Sequence, residues 1–218
     1  MKNSLKLFTA LCLAFFFSQP VFSQSNQVSV SGADALHGFS WDGTMAYYIR
    51  HSGNDYWFVK QPFDGETFGT KVYEKYMGEH LSNRKIRGLS VLDLGNDKKA
   101  VTYIMYDGSK TYLYLCEPFK GNNVSFNAQN SVMMSHFDKV RGWQWDGSAN
   151  AHYILHENGR NFLIKQGFYG GEEFEKYKET EKLIELTNGI RGYNKLGSKQ
   201  SYMVMINGQT YLAGQLKI

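Results

Sequence analysis

Cysteine and proline are scarce in this chain, which has two cysteines and three prolines in 218 residues. Cys12 lies in an N-terminal segment with the features of a secretory signal, so loss of that segment leaves Cys116 as the one remaining thiol. A single cysteine excludes an intramolecular disulfide, and stability must come from packing. Cys116 ends the strand-like run 112–116, which favours a buried small hydrophobe over a catalytic thiol.

The chain also lacks a block of Lys and Arg residues and, after residue 23, any long apolar run. We therefore expect neither a nucleic-acid partner nor a membrane span. Lys2 and Lys6 precede the apolar stretch 7–17, and residues 21–23 fit a cleavage site before Gln24. This predicts a signal peptide over 1–23 and a secreted or periplasmic protein over 24–218, whose net charge falls from +4 to +2. An uncleaved membrane anchor is the competing interpretation.

Motifs for catalysis or cofactor binding are missing from the sequence. It has no nucleophile elbow, no Gly-rich phosphate loop and no zinc-protease signature. The histidines have no cysteine partner in metal-ligand spacing, and no metal site and no cofactor are predicted. Asp42 and Asp146 each precede a glycine, and turn geometry explains both aspartates without a catalytic role.

A short motif recurs four times along the chain, at steps of 50, 54 and 50 residues. It consists of an apolar residue, a basic residue and a glycine. Its four copies are Leu36-His37-Gly38, Ile86-Arg87-Gly88, Val140-Arg141-Gly142 and Ile190-Arg191-Gly192. Longer matches relate the first and third copies: residues 39–44 resemble 143–148, and residues 60–65 resemble 165–170. The second and fourth copies share weaker matches, which indicates a duplicated two-repeat unit.

Each repeat has the pattern of short antiparallel strands separated by turns, which predicts an all-β fold. In the first repeat we expect strands at about 38–41, 45–50 and 56–60, and a fourth strand at 68–76. The segment 174–186, which matches the fourth strand, is rich in Glu and Lys and is interpreted either as a strand or as a short helix. Repeats over about 36–85, 86–139, 140–189 and 190–218 would form one domain.

Four such units predict a four-bladed β-propeller. The last repeat ends after its third strand, and residues 27–31 alternate like a strand, so the N-terminal strand is expected to complete the fourth blade and close the ring. A β-sandwich or two tandem β domains are the competing architectures.

In length, blade number and blade order, residues 27–218 resemble the hemopexin-like four-bladed propellers. The aromatic runs 47–49 and 56–58 are loosely similar to the repeats of that family. Two family features are absent: the Asp-Ala-Ala-Phe blade opening, replaced here by His/Arg-Gly, and the disulfide between the first and last blades. The resemblance implies a scaffold that binds protein, metal or small ligands and is not an enzyme.

The basic residues of the repeated motif are the first candidate ligand site. Closure of the ring would gather His37, Arg87, Arg141 and Arg191 around the axis, where their donors would suit a carboxylate, sulfate or phosphate. The competing interpretation is that they bond backbone carbonyls or acids of the adjoining blade and only brace the ring. Trp41 and Trp145 are secondary candidates, as platforms for a sugar ring or as core residues between blades.

Two classes of function remain open from the sequence. The first is a secreted, non-enzymatic binding protein, lectin-like or anion-binding, whose partner is an extracellular anionic polysaccharide or a protein. The second is a hydrolase or lyase acting on polysaccharide, with acids and histidines from several blades.

Overall fold

The computed structural model describes residues 27–29, 35–65, 67–79, 85–126, 128–134, 140–147, 149–168, 180–186, 189–196, 199–206 and 209–214. The expected signal peptide at 1–23 lies outside these residues. The described chain is all-β and contains no helix, as the strand patterns predict. Its strands form four antiparallel sheets, which we name sheets I to IV in chain order.

Sheets I and II take up the first half of the chain. Sheet I contains, in spatial order, β2 (Ala35–Trp41), β3 (Met45–Ser52), β4 (Asp55–Pro62) and β5 (Tyr73–Glu79). Sheet II contains β6 (Lys85–Gly95), β7 (Lys98–Tyr106), β8 (Thr111–Cys116) and β10 (Ala128–Met134), with the short β9 (Phe119–Lys120) paired to β7.

Sheets III and IV follow the same order. Sheet III contains β11 (Val140–Trp145), β12 (Asn150–Glu157), β13 (Arg160–Gly167) and β14 (Thr180–Leu186). Sheet IV contains β15 (Ile190–Leu196), β16 (Lys199–Ile206), β17 (Gln209–Gly214) and, as its fourth strand, β1 (Gln27–Ser29). The N-terminal strand pairs antiparallel with β17, with Val28 opposite Leu212.

Two details of the fourth strands differ from the sequence expectations. In sheet I the strand begins at Tyr73 rather than Phe68, because Phe68 stacks on Phe63 at a centroid distance of 4.4 Å and the chain there follows a loop. In sheet III, residues 180–186 form a strand paired with β13, so the helix interpretation is wrong for this part of the segment. Residues 174–179 lie outside the described part.

The hydrophobic core is divided into clusters, and each cluster lies between two neighbouring sheets. Tyr47 and Phe58 of sheet I pack with Leu89 of sheet II, and Ile104 of sheet II packs with Trp143 of sheet III. The other two clusters join sheet III to sheet IV and sheet IV to sheet I. Burial of apolar surface thus holds each sheet against the next, and the fourth against the first.

The repeated glycines meet where the first strands of the four sheets approach one another. A Cβ on Gly38 would lie 2.8 Å from the carbonyl carbon of Gly88, and one on Gly88 would lie 2.7 Å from that of Gly142. A Cβ on Gly142 would lie 2.9 Å from Cα of Gly192, whose own Cβ would lie 3.9 Å from Cα of Gly38. Glycine lets these four backbones approach closely, which explains its recurrence in the motif.

A second ring of contacts lies two residues further along the same strands. In each sheet, the side chain two positions after the motif glycine accepts a hydrogen bond from a backbone N–H of the next sheet. The links, donor first, are Val91 to Ser40 (3.1 Å), Trp145 to Ser90 (3.2 Å), Lys195 to Gln144, and Trp41 to Asn194 (3.1 Å). The fourth link returns from sheet IV to sheet I.

Candidate functional site

The basic residue of each motif lies at a β-bulge in the first strand of its sheet. The pairing register shifts between Leu36 and Phe39, and again at the three equivalent places in the other sheets. A bulge bends the strand and redirects a side chain. The apolar residue just before the bulge is buried in all four copies, and the basic residue is only half-buried.

All four basic residues lie at one end of their sheets, which we call the basic face. The register pairs Leu36 with Arg50 and Arg141 with Ile154, so the turns after the second strands lie at this same end. Gly53, Gly108 and Gly159 lie in these turns, as the repeat pattern predicts. Gly208, expected in the fourth turn, lies outside the described residues.

Arg87 and Arg191 both lie on the basic face, near enough for the charge of one to act on the other. Burial lowers the pKa of the Arg191 guanidinium, and the positive charge of Arg87 lowers it further. The Nε atom of Arg191 is buried and has no hydrogen-bond partner among the described residues. Two guanidinium groups from sheets II and IV therefore contribute positive charge to the same region.

His37 and Arg141 have different surroundings from this arginine pair. The His37 ring meets the rings of His51 and Tyr56 edge-on, at centroid distances of 5.5 Å in both cases. Burial raises the pKa of Tyr56 to about 12, and the positive charge of nearby Arg87 acts against that rise. His37 thus adjoins Arg87 through Tyr56.

The guanidinium of Arg141 makes a contact with its own strand. Its Nη1 atom donates a hydrogen bond of 3.0 Å to the carbonyl oxygen of Val140. This bond stays within strand β11 and does not link two sheets. The structure therefore brings Arg87, Arg191 and His37 together most clearly.

Trp41 and Trp145 occupy equivalent places in sheets I and III. The indole Nε1 of Trp41 donates to the carbonyl oxygen of Phe63 at 3.0 Å, and that of Trp145 donates to Phe168 at 3.2 Å. Each indole also packs edge-on against the same phenylalanine, at centroid distances of 5.4 Å and 5.2 Å. Both side chains are half-buried, and their role as ligand platforms stays a prediction.

A cavity that the sequence analysis did not find lies at the other end of the sheets, between sheets III and IV. Its volume is about 570 Å³, and its polar lining includes His152, Lys165 and Lys195. His152 is 8% exposed. The sequence contains a signal for this cavity, because two residues differ between the first and third repeats. His152 takes the place of Tyr47, and Gln144 takes the place of Ser40.

Cys116 is buried, and burial raises the pKa of its thiol to about 12, so the thiol stays protonated. Within the described ranges, no group of three His, Cys, Asp or Glu side chains gathers closely enough to hold a metal ion. The described part of the chain also has no helix long and apolar enough to cross a membrane. No protein-family model matches the chain, and a search of curated proteins found no significant match.

Proposed function

We propose that the protein is a four-bladed β-propeller that binds an acidic polysaccharide outside the cytoplasm, without chemical turnover, through the basic face. Arg87 and Arg191 are its central contacts, and His37 and Arg141 surround them. Trp41 and Trp145 belong to the scaffold first, and any contact they make with ligand is secondary.

The propeller assignment is supported by the cyclic order of contacts between the first strands. Each motif glycine lies against the next one in chain order, and the fourth lies near the first. The link from Trp41 to Asn194 and the pairing of β1 with β17 both join the two ends of the chain. Packing of sheet IV against sheet I covers their apolar faces, and β1 covers the edge of β17, as expected for the ring that the hemopexin-like resemblance implies.

The convergence of Arg87 and Arg191 is the observation that carries the ligand assignment. The charge of Arg87 acts unfavourably on the Arg191 guanidinium, and burial adds a cost to the charge of Arg191. An anion placed between them removes the repulsion and accepts forked hydrogen bonds from both. Carboxylates or sulfates repeated along a polysaccharide supply such an anion, and the export signal expected at 1–23 would place the protein where such polymers occur.

The test measures binding of polygalacturonate, with neutral dextran as the uncharged comparison, by titration calorimetry. The parent chain, Arg87→Gln, Arg191→Gln and the double variant are compared at low and physiological salt. We expect the parent to bind the polyanion but not dextran, and the double variant to bind at least about tenfold more weakly with less salt dependence. Lys98→Gln is the matched control, because the exposed Lys98 begins β7 at the opposite end of sheet II.

Thermal unfolding of each variant separates binding from bracing. The proposal is overturned if the parent binds no polyanion and an arginine variant melts at a lower temperature than the parent. The four basic residues would then have a purely structural role. Release of reducing ends from polygalacturonate by the parent would instead support the hydrolase or lyase reading. Binding of acidic proteins without binding of polygalacturonate would show that the ligand is a protein and not a polysaccharide.

A further inference from the structure

The cavity between sheets III and IV lies at the end of the sheets opposite the basic face. Gln144 and Asp146 come from the end of β11, and Lys195 comes from the end of β15. Asn150 and His152 of β12 and Lys165 of β13 complete its polar lining. Leu183 of β14 supplies an aliphatic wall.

The duplicated half of the chain shows what fills the equivalent place between sheets I and II. Tyr47 lies opposite Ser40 and Lys60 in its sheet, as His152 lies opposite Gln144 and Lys165. Tyr47 is 1% exposed, so its phenol ring occupies this space. The imidazole of His152 is smaller than a phenol ring, and the equivalent space between sheets III and IV contains the cavity.

Charged groups also join sheets I and II beside Tyr47. Lys99 of sheet II pairs with Asp42 of sheet I at 3.3 Å, and its ammonium lies 5.8 Å from the centre of the Tyr47 ring. Tyr47 donates a hydrogen bond of 3.3 Å to the same carboxylate. In the third sheet the equivalent Asp146 accepts hydrogen bonds from the backbone and side-chain nitrogens of Asn150, at 3.1 and 3.3 Å.

The charge of the cavity is positive. Lys195, Lys165 and Asp146 all act on His152, and burial, the largest effect, lowers the pKa of His152 to about 4. The imidazole is therefore neutral at pH 7 and offers both a donor and an acceptor. Among the lining residues that the structure describes, two ammonium groups and one carboxylate carry charge, and this balance favours a ligand with a negative charge.

The polar groups of the lining are held in place by the sheets. Gln144 donates a 2.5 Å hydrogen bond to the carbonyl oxygen of Lys195 and accepts one from its backbone N–H. These two bonds join sheet III to sheet IV through two residues of the cavity lining. A preorganised wall lowers the cost of ordering side chains when a ligand binds.

We propose that this cavity is a second binding site, for a small polyhydroxylated carboxylate such as a single uronic acid. Lys165 and Lys195 bind the carboxylate, while His152, Asp146 and Asn150 exchange hydrogen bonds with hydroxyl groups. Leu183 contacts an apolar C–H face of the ring. A cavity of about 570 Å³ is within the size range of small-molecule sites. The site is separate from the basic face and does not depend on the proposed function.

The test titrates glucuronate into the parent chain, with glucose as the neutral comparison of the same ring size. We expect glucuronate to bind and glucose to bind at least about tenfold more weakly, because glucose lacks the group that the lysines recognise. Lys195→Gln removes one exposed ammonium but keeps the backbone groups that Gln144 contacts, and should weaken glucuronate binding about tenfold. His152→Tyr restores the residue of the first unit and should abolish binding by filling the cavity.

Matched variants identify which site the probe occupies. Lys60→Gln changes the residue of sheet I that corresponds to Lys165 and should leave glucuronate binding unchanged. The proposal is overturned if the parent binds no glucuronate, if glucose binds equally well, or if Lys195→Gln binds like the parent. Loss of glucuronate binding in the double arginine variant would also overturn it, because the probe would then occupy the basic face.

Discussion

The backbone N–H of Trp41 donates a 3.1 Å hydrogen bond to Oδ1 of Asn194, which joins the first sheet to the last across 153 positions of the chain. Asn194 is 1% exposed, so this bond is shielded from water. The equivalent acceptors Ser40 and Ser90 make the same link between earlier sheets. The bond from Trp41 is the one that returns from sheet IV to sheet I.

We expect Asn194→Ala to lower the free energy of unfolding by about 1–3 kcal/mol, because it leaves the backbone N–H of Trp41 without its acceptor. Asn122→Ala serves as the control, since Asn122 is exposed and accepts only a surface contact of 3.4 Å from Lys60. Urea unfolding at pH 7 measures the free energy of unfolding of both variants. Equal stability of Asn194→Ala and Asn122→Ala would show that the link between the first and last sheets contributes little.

The sequence predicts the sheets better than the contacts that join them. The recurring motif marks the first strand of every sheet because its apolar residue is core, as at Leu36, and its glycine permits close approach, as at Gly88. The sequence does not reveal the side-chain acceptors that link the sheets, because serine, glutamine and asparagine all occur at this position. They share only a position and an oxygen atom that accepts, which appear together once the strands are placed in space.

The cavity was missed for a related reason. The sequence predicts no metal site at the histidines, and His152 by itself indicates no other kind of site. Its significance depends on its counterpart Tyr47, which fills the equivalent cleft. A residue-by-residue comparison of the duplicated halves would have found the replacement, but only the structure shows that it accompanies a cavity.

The close approach of the motif glycines predicts that two alanine substitutions differ strongly in their effect on the free energy of unfolding. A Cβ on Gly88 would lie 2.7 Å from backbone atoms of Gly142 and Trp143, so Gly88→Ala must push two strands apart. We expect a loss of about 3 kcal/mol or more in the free energy of unfolding. Gly159→Ala is the comparison: Gly159 has a φ of +75° and open space around it, so only backbone strain of about 1 kcal/mol applies.

Urea unfolding of the two alanine variants compares these costs directly. A cost for Gly88→Ala no larger than that for Gly159→Ala would mean that the first strands are not as close as the glycine contacts require. A double variant, Gly88→Ala with Gly142→Ala, tests whether the two positions share one contact, since coupled positions give non-additive changes.

The N-terminal strand predicts the effect of a short truncation. β1 pairs with β17 through Gln27, Val28 and Ser29, opposite Ala213, Leu212 and Tyr211. Removing residues 24–34 from a chain that starts at Gln24 would expose the edge of β17 and should lower the melting temperature by several degrees. Calorimetry of the two chains measures the shift, and size-exclusion chromatography shows whether the exposed edge causes association. Equal melting temperatures of the two chains would show that β1 does not contribute to the stability of the fold.

Buried His152 predicts that acid destabilises the fold over a defined pH range. Burial is the main reason that its pKa falls from 6.5 to about 4, with Lys195 and Lys165 adding to the effect and Asp146 opposing it. Between these two pH values the unfolded chain binds a proton that the folded chain does not. Stability contributed by this group is therefore present above pH 6.5 and is lost as the pH falls to about 4.

The expected loss over that interval is about 3 kcal/mol, and below it both states are protonated and no further change comes from this residue. His152→Gln removes the titrating group, so the difference in stability between parent and variant should shrink as the pH falls through this window. Urea unfolding at several pH values between 7.5 and 4 measures that difference, with each buffer at the same ionic strength. A difference that stays constant with pH would show that His152 titrates equally in the folded and unfolded chain, and would place its imidazole in contact with water.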